Sequence, residues 1–551
     1  MTAAAPGAAR VVIVGGGFAG ASAAVQLVRR SSAPLAITIV EPRARVGPGL
    51  AYSTRDPDHR LNAPTGTHSI DPEDAAHFTR WCEANGVFAR DPQALIPNGA
   101  AFVRRSEFGD YVEATLREHA AWPATGSSIE HVRERAVGVL LEGADPDGSG
   151  TAPEGRDGRA AERTSGGSGA LASGATPGRA SWATPGRASG AAPRRESFVT
   201  LTESGRRLRS SLLIVATGNP APRLPAFFAS ALLGHPGVVA DPLQSDGVSR
   251  LDADARVLVV GSGLTALDIV STLLRRGHRG AIEVASRRGL RPRGHGPALE
   301  APAADAALER PLDRILAPAA APWAIDAAGA PTALEALRRM RRRVREVQAQ
   351  GQTWHAAFDE LRECVWQVWP HWPAAEKRRF LHTLRPWYDV HRFRAPPQND
   401  AMVRAAEAAG RVAFRAARVR SIEGAADGAL RVRLAAPGGR HEAVERFDAV
   451  VNCSGLEAGA GAAANPFLGA LVEQGRLQPD PSGIGFAVDA QCRAIDAHGR
   501  AQPGLRVIGP PTAGSFGDPV AVVFIATQIR RVLPDLLREL ARGSDPADPA
   551  A

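Results

Sequence analysis

Two glycine clusters hold the residue types from which a phosphate-binding turn is built. In the first, Gly15, Gly17 and Gly20 follow the apolar run RVVIV, with Phe18 and Ala19 inside the motif and the segment ASAAVQLVRR behind it. In the second, Gly261, Gly263 and Ala266 follow RVLVV. At this spacing the first glycine turns a strand sharply into a helix and the second lets backbone approach a pyrophosphate. The third small residue packs helix on strand, and the helix N-terminus faces the anion. What comes next separates the two clusters. The strand AITIV ends in Glu41, twenty-one residues beyond Gly20, where a carboxylate accepts hydrogen bonds from a ribose diol. Behind the second cluster AIEVA runs into Ser286, Arg287 and Arg288, so arginine stands twenty-one residues beyond Ala266. An acid there repels a 2′-phosphate and an arginine pair holds it. The first site therefore suits an unphosphorylated adenosine ribose and the second suits NADPH, or NADH if the arginines are an ordinary surface pair. FAD in the first and the nicotinamide cofactor in the second gives one nucleotide that supplies hydride and one that receives it.

Other chemistry is sparse. Cys82, Cys364, Cys453 and Cys492 are far apart and form no CxxC pair, which argues against a zinc site, a disulfide scaffold and a redox dithiol. His371 and His382 have no cysteine or carboxylate at ligand spacing, so no metal site is expected. Asn62, in RLNAP, can donate and accept at the edge of a flavin ring, or can satisfy its own turn. LRPWYDVHRFR packs Arg385, Trp387, Tyr388, Asp389, His391, Arg392 and Arg394 together, and Asp389, His391 and Arg392 are the candidates for handling an anionic small substrate. The competing reading of this run is a structural arginine and aspartate pair buried beside Trp387. His295, in RGHGP, is either close to the nicotinamide or merely exposed.

These residues need elements to position them. A chain of 551 residues suggests two or three domains. Residues 1–218 are expected to be the first part of an FAD-binding domain, 219–450 an NAD(P)H-binding domain with a helical segment at 300–395, and 451–551 the second part of the FAD domain. Residues 143–196, rich in Gly, Ser, Ala and Pro and carrying ATPGRAS twice, read as a disordered insertion in a hairpin loop. From Leu334 a basic amphipathic helix places Leu334, Leu337, Met340, Val344 and Val347 on one stripe. Strand signals from Val412 to Val451 suggest a small meander. The net charge of +9 is nearly all arginine, with Lys377 the one lysine, and the arginines are spread along the whole chain, which argues against nucleic-acid binding. The uncharged run from Val11 to Val28 is broken by glycines and followed by Arg29 and Arg30, unlike a signal or a membrane span. A soluble cytoplasmic protein is expected, of undefined oligomeric state.

With those residues in view, the chain resembles the two-dinucleotide-domain flavoproteins, among them the flavin-containing and N-hydroxylating monooxygenases. LLIVATG, with Thr217 and Gly218, looks like the exit from the FAD domain, and AVVNCSG like the return to it. RVIGPPTAGSFGDPVAVVFIATQI, with Gly509 and Gly514, looks like the closing strand and helix that pass the flavin. Arg105, in FVRRSEFGDYV, resembles the arginine at the start of an FAD-domain helix and would meet a phosphate or stay solvated. That string, GPGLAYSTRDPDHRLNAPTGTHS, SRRGLRPRGH and LRPWYDVHRFRAPP are similar to the family that groups FAD-dependent urate hydroxylases with L-aspartate N-monooxygenases. The resemblance implies an α/β fold of two Rossmann-like domains with a β-meander and a helical insertion, and a monooxygenase that uses FAD, NAD(P)H and O2 on a small nitrogenous substrate. In such enzymes the flavin forms the oxygen-transferring hydroperoxide, which leaves the protein placement and shielding and explains why no triad is found. Two rival readings stand beside it: a reductase passing electrons through FAD to another acceptor, and a non-catalytic flavin-binding redox sensor.

Overall fold

The structure, a computed structural model, describes residues 8–542 except 98, 122–124, 143–196, 220–223, 229–231, 244–245, 297–310, 320–321, 325–330, 440, 456–464 and 519. The expected disordered insertion thus lies outside the described residues.

Strand β1 (Ala9–Val14) is apolar at four consecutive buried positions, the pattern of a strand covered on both faces. It pairs in parallel with β2 (Leu35–Val40), which continues to β3 (Ser128–Val132), and on its other side with β7 (Leu212–Val215). The far C-terminal β17 (Ala501–Val507) adds to β7 in parallel, and β16 (Arg493–Ile495) pairs antiparallel with β17 at the edge. LLIVATG therefore lies in the first sheet, between the strand of the first glycine cluster and the closing strand. Helices Phe18–Arg30 and Val522–Ala541 pack together on this sheet, and their buried faces share one core with Phe78, Phe108 and Tyr111. On the other side, β4 (Ala136–Glu142), β5 (Ser197–Thr202) and β6 (Arg207–Ser210) form an antiparallel sheet whose first pair brings Glu142 opposite Ser197.

The second parallel sheet runs β11–β10–β9–β15–β8, with β8 (Val238–Val239), β9 (Val257–Val260), β10 (Ile282–Ser286), β11 (Val412–Ala416) and β15 (Ala449–Asn452). Two expectations change here. AVVNCSG sets out from the second sheet, where β15 pairs with β9 and is buried at all four positions, so that sheet runs two residues past the expected boundary at 450. The meander is only β12 (Arg418–Gly424), β13 (Leu430–Ala435) and β14 (Glu442–Phe447), because β11 is drawn into the parallel sheet beside β10.

Between β10 and β11 lies a helical layer: Pro311–Leu316, Ala333–Ala349, Trp354–Val368, Ala374–Thr383, Arg385–Arg392 and Pro397–Ala408. The basic helix starts with a capping box, in which Thr332 Oγ1 accepts from Glu335 N and the Glu335 carboxylate accepts from Thr332 N. Its stripe follows the expected phase from Leu337 onward, with Leu337 and Val344 half-buried, and departs at its first member. Ala333, Met340 and Val347 are buried, whereas Leu334 is 51% exposed. Ala333 and Met340, seven residues apart, already set the core face, and Leu334 falls beside it. Trp369 and Trp372 are buried in this layer's core, but Trp387 is exposed.

Candidate functional site

Each glycine cluster makes the same backbone turn. Gly15 and Gly261 both have φ of +106°, in the region that favours glycine. A Cβ on Gly15 would stand 2.4 Å from the Ala216 carbonyl oxygen, and one on Gly261 2.0 Å from that of Cys453. A Cβ on Gly20 would lie 2.0 Å from Gly15 O, so helix and turn meet only because both residues lack side chains. At the corresponding place in the second unit Ala266 is fully buried. The N-caps, Gly17 and Gly263, have almost identical backbone angles, no side-chain cap and no acid in the first turn. Their helices therefore present uncapped N–H groups and the positive end of the helix dipole, the arrangement a pyrophosphate needs.

Glu41 and Arg287, the two expected ribose readers, follow the second strand of each unit. Glu41 is 2% exposed at the end of β2. Its Oε2 accepts from Gly16 N at 2.8 Å, and Arg43 closes on both oxygens through its main-chain N–H and its guanidinium. Burial pushes the carboxyl up, but the Arg43 contacts and the Gly16 hydrogen bond outweigh it and hold the group below the usual range, so it is ionised. The four acceptor directions are filled, two of them by the half-exposed Arg43 side chain. In the second unit, Arg287 is exposed at the end of β10. Ala417 N donates to Ser286 O at 2.8 Å, which brings the start of β12 alongside. Arg287, Arg418 and Arg420 then line one crevice of about 640 Å³ of empty space, floored by the Pro437–Gly439 turn. Arg288 lies apart from this crevice, its Nη2 donating to Thr383 O at 3.4 Å. Arg418 and Arg420 were not identified from sequence, because they lie well over a hundred residues beyond Arg287 and only the β10–β11–β12 path joins them.

The fit of the first cradle to a flavin nucleotide rests on more than glycines. Thr217, next to the Gly15 turn, has a buried Oγ1 with no partner, and Gly218 follows in a left-handed conformation. Gly509 sits against Ala19, its N–H donating to Gln528 Oε1 at 2.8 Å, and Gln528 in turn donates to Thr512 Oγ1. Gly514 packs against Asp480 and the Ile484 carbonyl. Its carbonyl accepts from Trp369 Nε1 at 2.8 Å and from Lys377 Nζ at 2.9 Å, so it ties the closing segment to the helical layer.

The two nucleotide units meet along a polar seam. His295 Nε2 donates to the Asn62 carbonyl oxygen at 3.0 Å, and its ring stands edge-on to Phe102 with centroids 4.8 Å apart. The Asn62 side-chain amide makes no hydrogen bond among the described residues. Burial pushes His295 down to about 4, so the ring is neutral near pH 7. Arg105 is engaged on this seam. Its Nη2 donates to Asp268 Oδ2 at 2.6 Å and its Nε to Arg60 O, which joins the first unit to the helix Leu264–Arg275 of the second. Arg275 pairs with Asp58 on the same seam, and Asn399 Nδ2 donates to Asp58 O at 2.9 Å.

The run from Arg385 to Arg394 is divided among several neighbours. Asp389 meets Arg385 at 3.3 Å, and burial pushes its carboxyl up to about 6. His391 Nδ1 donates to Trp387 O, and the ring stacks on Phe358 with centroids 4.8 Å apart. Arg392 pairs with Asp518 at 2.9 Å, with both side chains buried. This pair links the helical layer to the closing FAD segment and lies beside Phe393 and Phe524. All four cysteines are unpaired and buried. Among the described residues no three His, Cys, Asp or Glu side chains are grouped to hold a metal ion, and no helix is long and apolar enough to cross a membrane.

Comparison with known proteins agrees with this geometry. Residues 12–156 match an FAD-NAD(P)-binding family model, and residues 191–295 match the model of L-lysine 6-monooxygenase/L-ornithine 5-monooxygenase. No curated protein matches the chain. Among solved structures, an ornithine N-hydroxylase from Kutzneria sp. 744 is 17% identical, covers 96% of this chain and 99% of its own, and superposes with a TM-score of 0.57. The L-lysine 6-monooxygenase of Pseudomonas syringae is 16% identical with the same coverages and TM-score. A cadaverine monooxygenase from Erwinia amylovora is 12% identical, over 98% of this chain and 96% of its own, with a TM-score of 0.57. At these identities the likeness is one of fold. With the two family models lying on two dinucleotide cradles, the chain is an FAD- and NAD(P)H-dependent oxidoreductase.

Proposed function

We propose that the chain hydroxylates the amine nitrogen of a small substrate, using NADPH and O2. The observation that carries this reading is the match of residues 191–295 to the lysine and ornithine monooxygenase model. That segment includes the second glycine cluster and ends at His295, on the seam with the first unit. FAD bound in the first cradle supplies the oxygen activation. The chain's own residues then bind, orient and shield. The uncapped N–H groups after Gly17 and Gly263 hold the two pyrophosphates, Glu41 reads the flavin ribose, and Arg287 reads the 2′-phosphate of NADPH. Asn62, its carbonyl held by His295, would offer its amide to the flavin ring edge. A neutral His295 packed on Phe102 adds no charge beside Asn62, which helps keep out water that would intercept the oxygen transfer.

Amine oxygenation is favoured over urate ring hydroxylation because the matching model and the solved structures of the same fold carry names of N-oxygenating enzymes. The test is NADPH consumption by the FAD-loaded protein with aspartate, ornithine, lysine, cadaverine and urate, with product mass measured. One amine gaining a single oxygen in step with NADPH use is the expected result. Oxidation of NADPH with every amine recovered unchanged, and electrons passed instead to an added acceptor, would give the function to the reductase class.

A further inference from the structure

All but one of the 66 lysine and arginine residues are arginine, and the exception, Lys377, is buried. It stands in the helix Ala374–Thr383 and reaches out of the helical layer to the closing segment. Its Nζ donates to the Gly514 carbonyl oxygen at 2.9 Å and lies 5.5 Å from the centre of the Trp369 ring. That carbonyl is already served, because Trp369 Nε1 donates to it at 2.8 Å. The Trp369 ring also packs against Gly517, so Trp369 by itself fastens the short helix Ala513–Phe516 to the helical layer. Four lysine or arginine residues are buried among the described residues: Arg60, Lys377, Arg394 and Arg506. Arg60 has Asp91, Arg394 has Asp359, and Arg506 has Asp535 and Glu539. Lys377 alone of the four has no carboxylate within ion-pair distance among the described residues. Burial pulls its pKa down from the ordinary lysine value, and Asp480, which packs on Gly514 beyond ion-pair distance, pulls the other way.

A buried charge without a counter-charge is costly, and one shared neutral carbonyl offsets little of that cost. A neutral donor would serve the packing as well, so the charge itself calls for a role. Its place points to the flavin. In a parallel sheet of this kind a nucleotide lies beyond the carboxyl ends of the strands. The closing segment leaves from that end: β17 stops at Val507, Gly509 packs on Ala19 of the first glycine turn, and Gly514 follows in the next helix. Hydride transfer moves one hydrogen nucleus and two electrons from NADPH to FAD, so NADPH becomes NADP⁺ and the flavin gains one negative charge. We propose that Lys377 is the positive charge set into the fold to offset it: the ammonium, held on Gly514, favours the reduced, anionic cofactor and raises the flavin potential. Lys377 keeps its proton throughout and acts through space. Its compact ammonium is a point charge, whose pull inside a protein falls only as the inverse of distance. The proposal rests on FAD in the first cradle and is independent of which amine is oxygenated.

The test uses the FAD-loaded protein without amine and without air, so that it stands or falls apart from the amine reading. The potential is measured by equilibrating the flavin with a reference dye of known potential, and flavin content is recorded for each variant. Lys377→Met removes charge and donor, whereas Lys377→Gln removes the charge and keeps a neutral donor for Gly514. Both should lower the potential, so that the equilibrium constant for reduction by NADPH falls about fivefold or more, the size expected of one charge acting across several ångströms of protein. Lys377→Arg, which keeps the charge, should stay close to the native value. If Lys377→Met fails to retain flavin, Lys377→Gln and Lys377→Arg decide the matter. A native potential in Lys377→Gln would make the lysine a hydrogen-bond donor and nothing more, and overturns the proposal. An equal fall in Lys377→Arg and Lys377→Gln, both with normal flavin content, overturns it as well, because the effect would then be one of packing.

Discussion

At the scale of single residues, the clearest division of labour is between Glu41 and Arg287, which occupy the same place in two copies of one turn. Glu41 is buried and ionised, and Arg287 is exposed and faces a crevice that also takes Arg418 and Arg420. A phosphate entering there meets guanidinium groups from two elements. Arg420 is already shared with Glu442 at 3.5 Å, and so has less to give than Arg287 or Arg418. Arg287→Ala and Arg418→Ala should each weaken NADP⁺ by about tenfold, about 1.4 kcal/mol, which is the size of one charge-assisted contact. NAD⁺ should change less than about twofold, because it has no 2′-phosphate for these groups to hold. Calorimetric titration of the FAD-loaded variants with both nucleotides checks this. Equal losses for NADP⁺ and NAD⁺ would remove the crevice from the ribose site.

At the scale of elements, strand, turn and helix act as a unit, and the two units can be broken separately. Gly15→Val drives a branched side chain into the Ala216 carbonyl, and Gly261→Val does the same to that of Cys453. The first variant should purify without flavin. The second should stay yellow but no longer bleach with NADPH, since its damage is confined to the other cradle. Flavin absorbance before and after anaerobic addition of NADPH separates the outcomes, and loss of flavin from Gly261→Val would show that the cradles are not independent. These turns were legible in the sequence because everything they require is local: a buried apolar strand, glycines at fixed spacing and a charged residue at the end of the next strand. Other features were hidden for physical reasons. β15 is an apolar strand like β7, and nothing within AVVNCSG says which sheet will take it. The place of Arg105 at a helix start leaves it open between a phosphate and solvent, and its partner Asp268 comes from a helix more than a hundred and fifty residues away. Arg392 was seen in its own cluster, whereas the acid it meets, Asp518, lies on the closing segment. Distant partners like these follow from how layers pack, which local spacing does not encode.

At the scale of the whole molecule, hydride can pass only if the two cradles keep one relative placement, and Arg105 with Asp268 is the buried tie that crosses between them. Asp268 is 1% exposed, and burial pushes its carboxyl up to about 7 from 3.8, with Arg105 pulling the other way. An acid whose pKa stands higher in the fold than in the unfolded chain takes up a proton on folding between those two values. Its contribution therefore favours folding most below about pH 4 and declines as the pH rises to about 7. Above that it is a buried charge that depends on Arg105. Arg105→Met should then cost about 3 kcal/mol at pH 8, where it leaves an uncompensated carboxylate, and distinctly less at pH 5, where the acid is protonated. Asp268→Asn in the same chain should restore part of the loss at pH 8 and little at pH 5, since the amide is neutral at both. Denaturant melts of the FAD-loaded single and double variants at the two pH values measure this coupling. The rate of flavin bleaching by NADPH should fall in Arg105→Met even where the protein remains folded, because the two units are then less firmly held. Additive effects at pH 8 with an unchanged bleaching rate would mean that the tie is incidental, and that the placement of the rings rests on Arg275, Asp58 and the His295 contact instead.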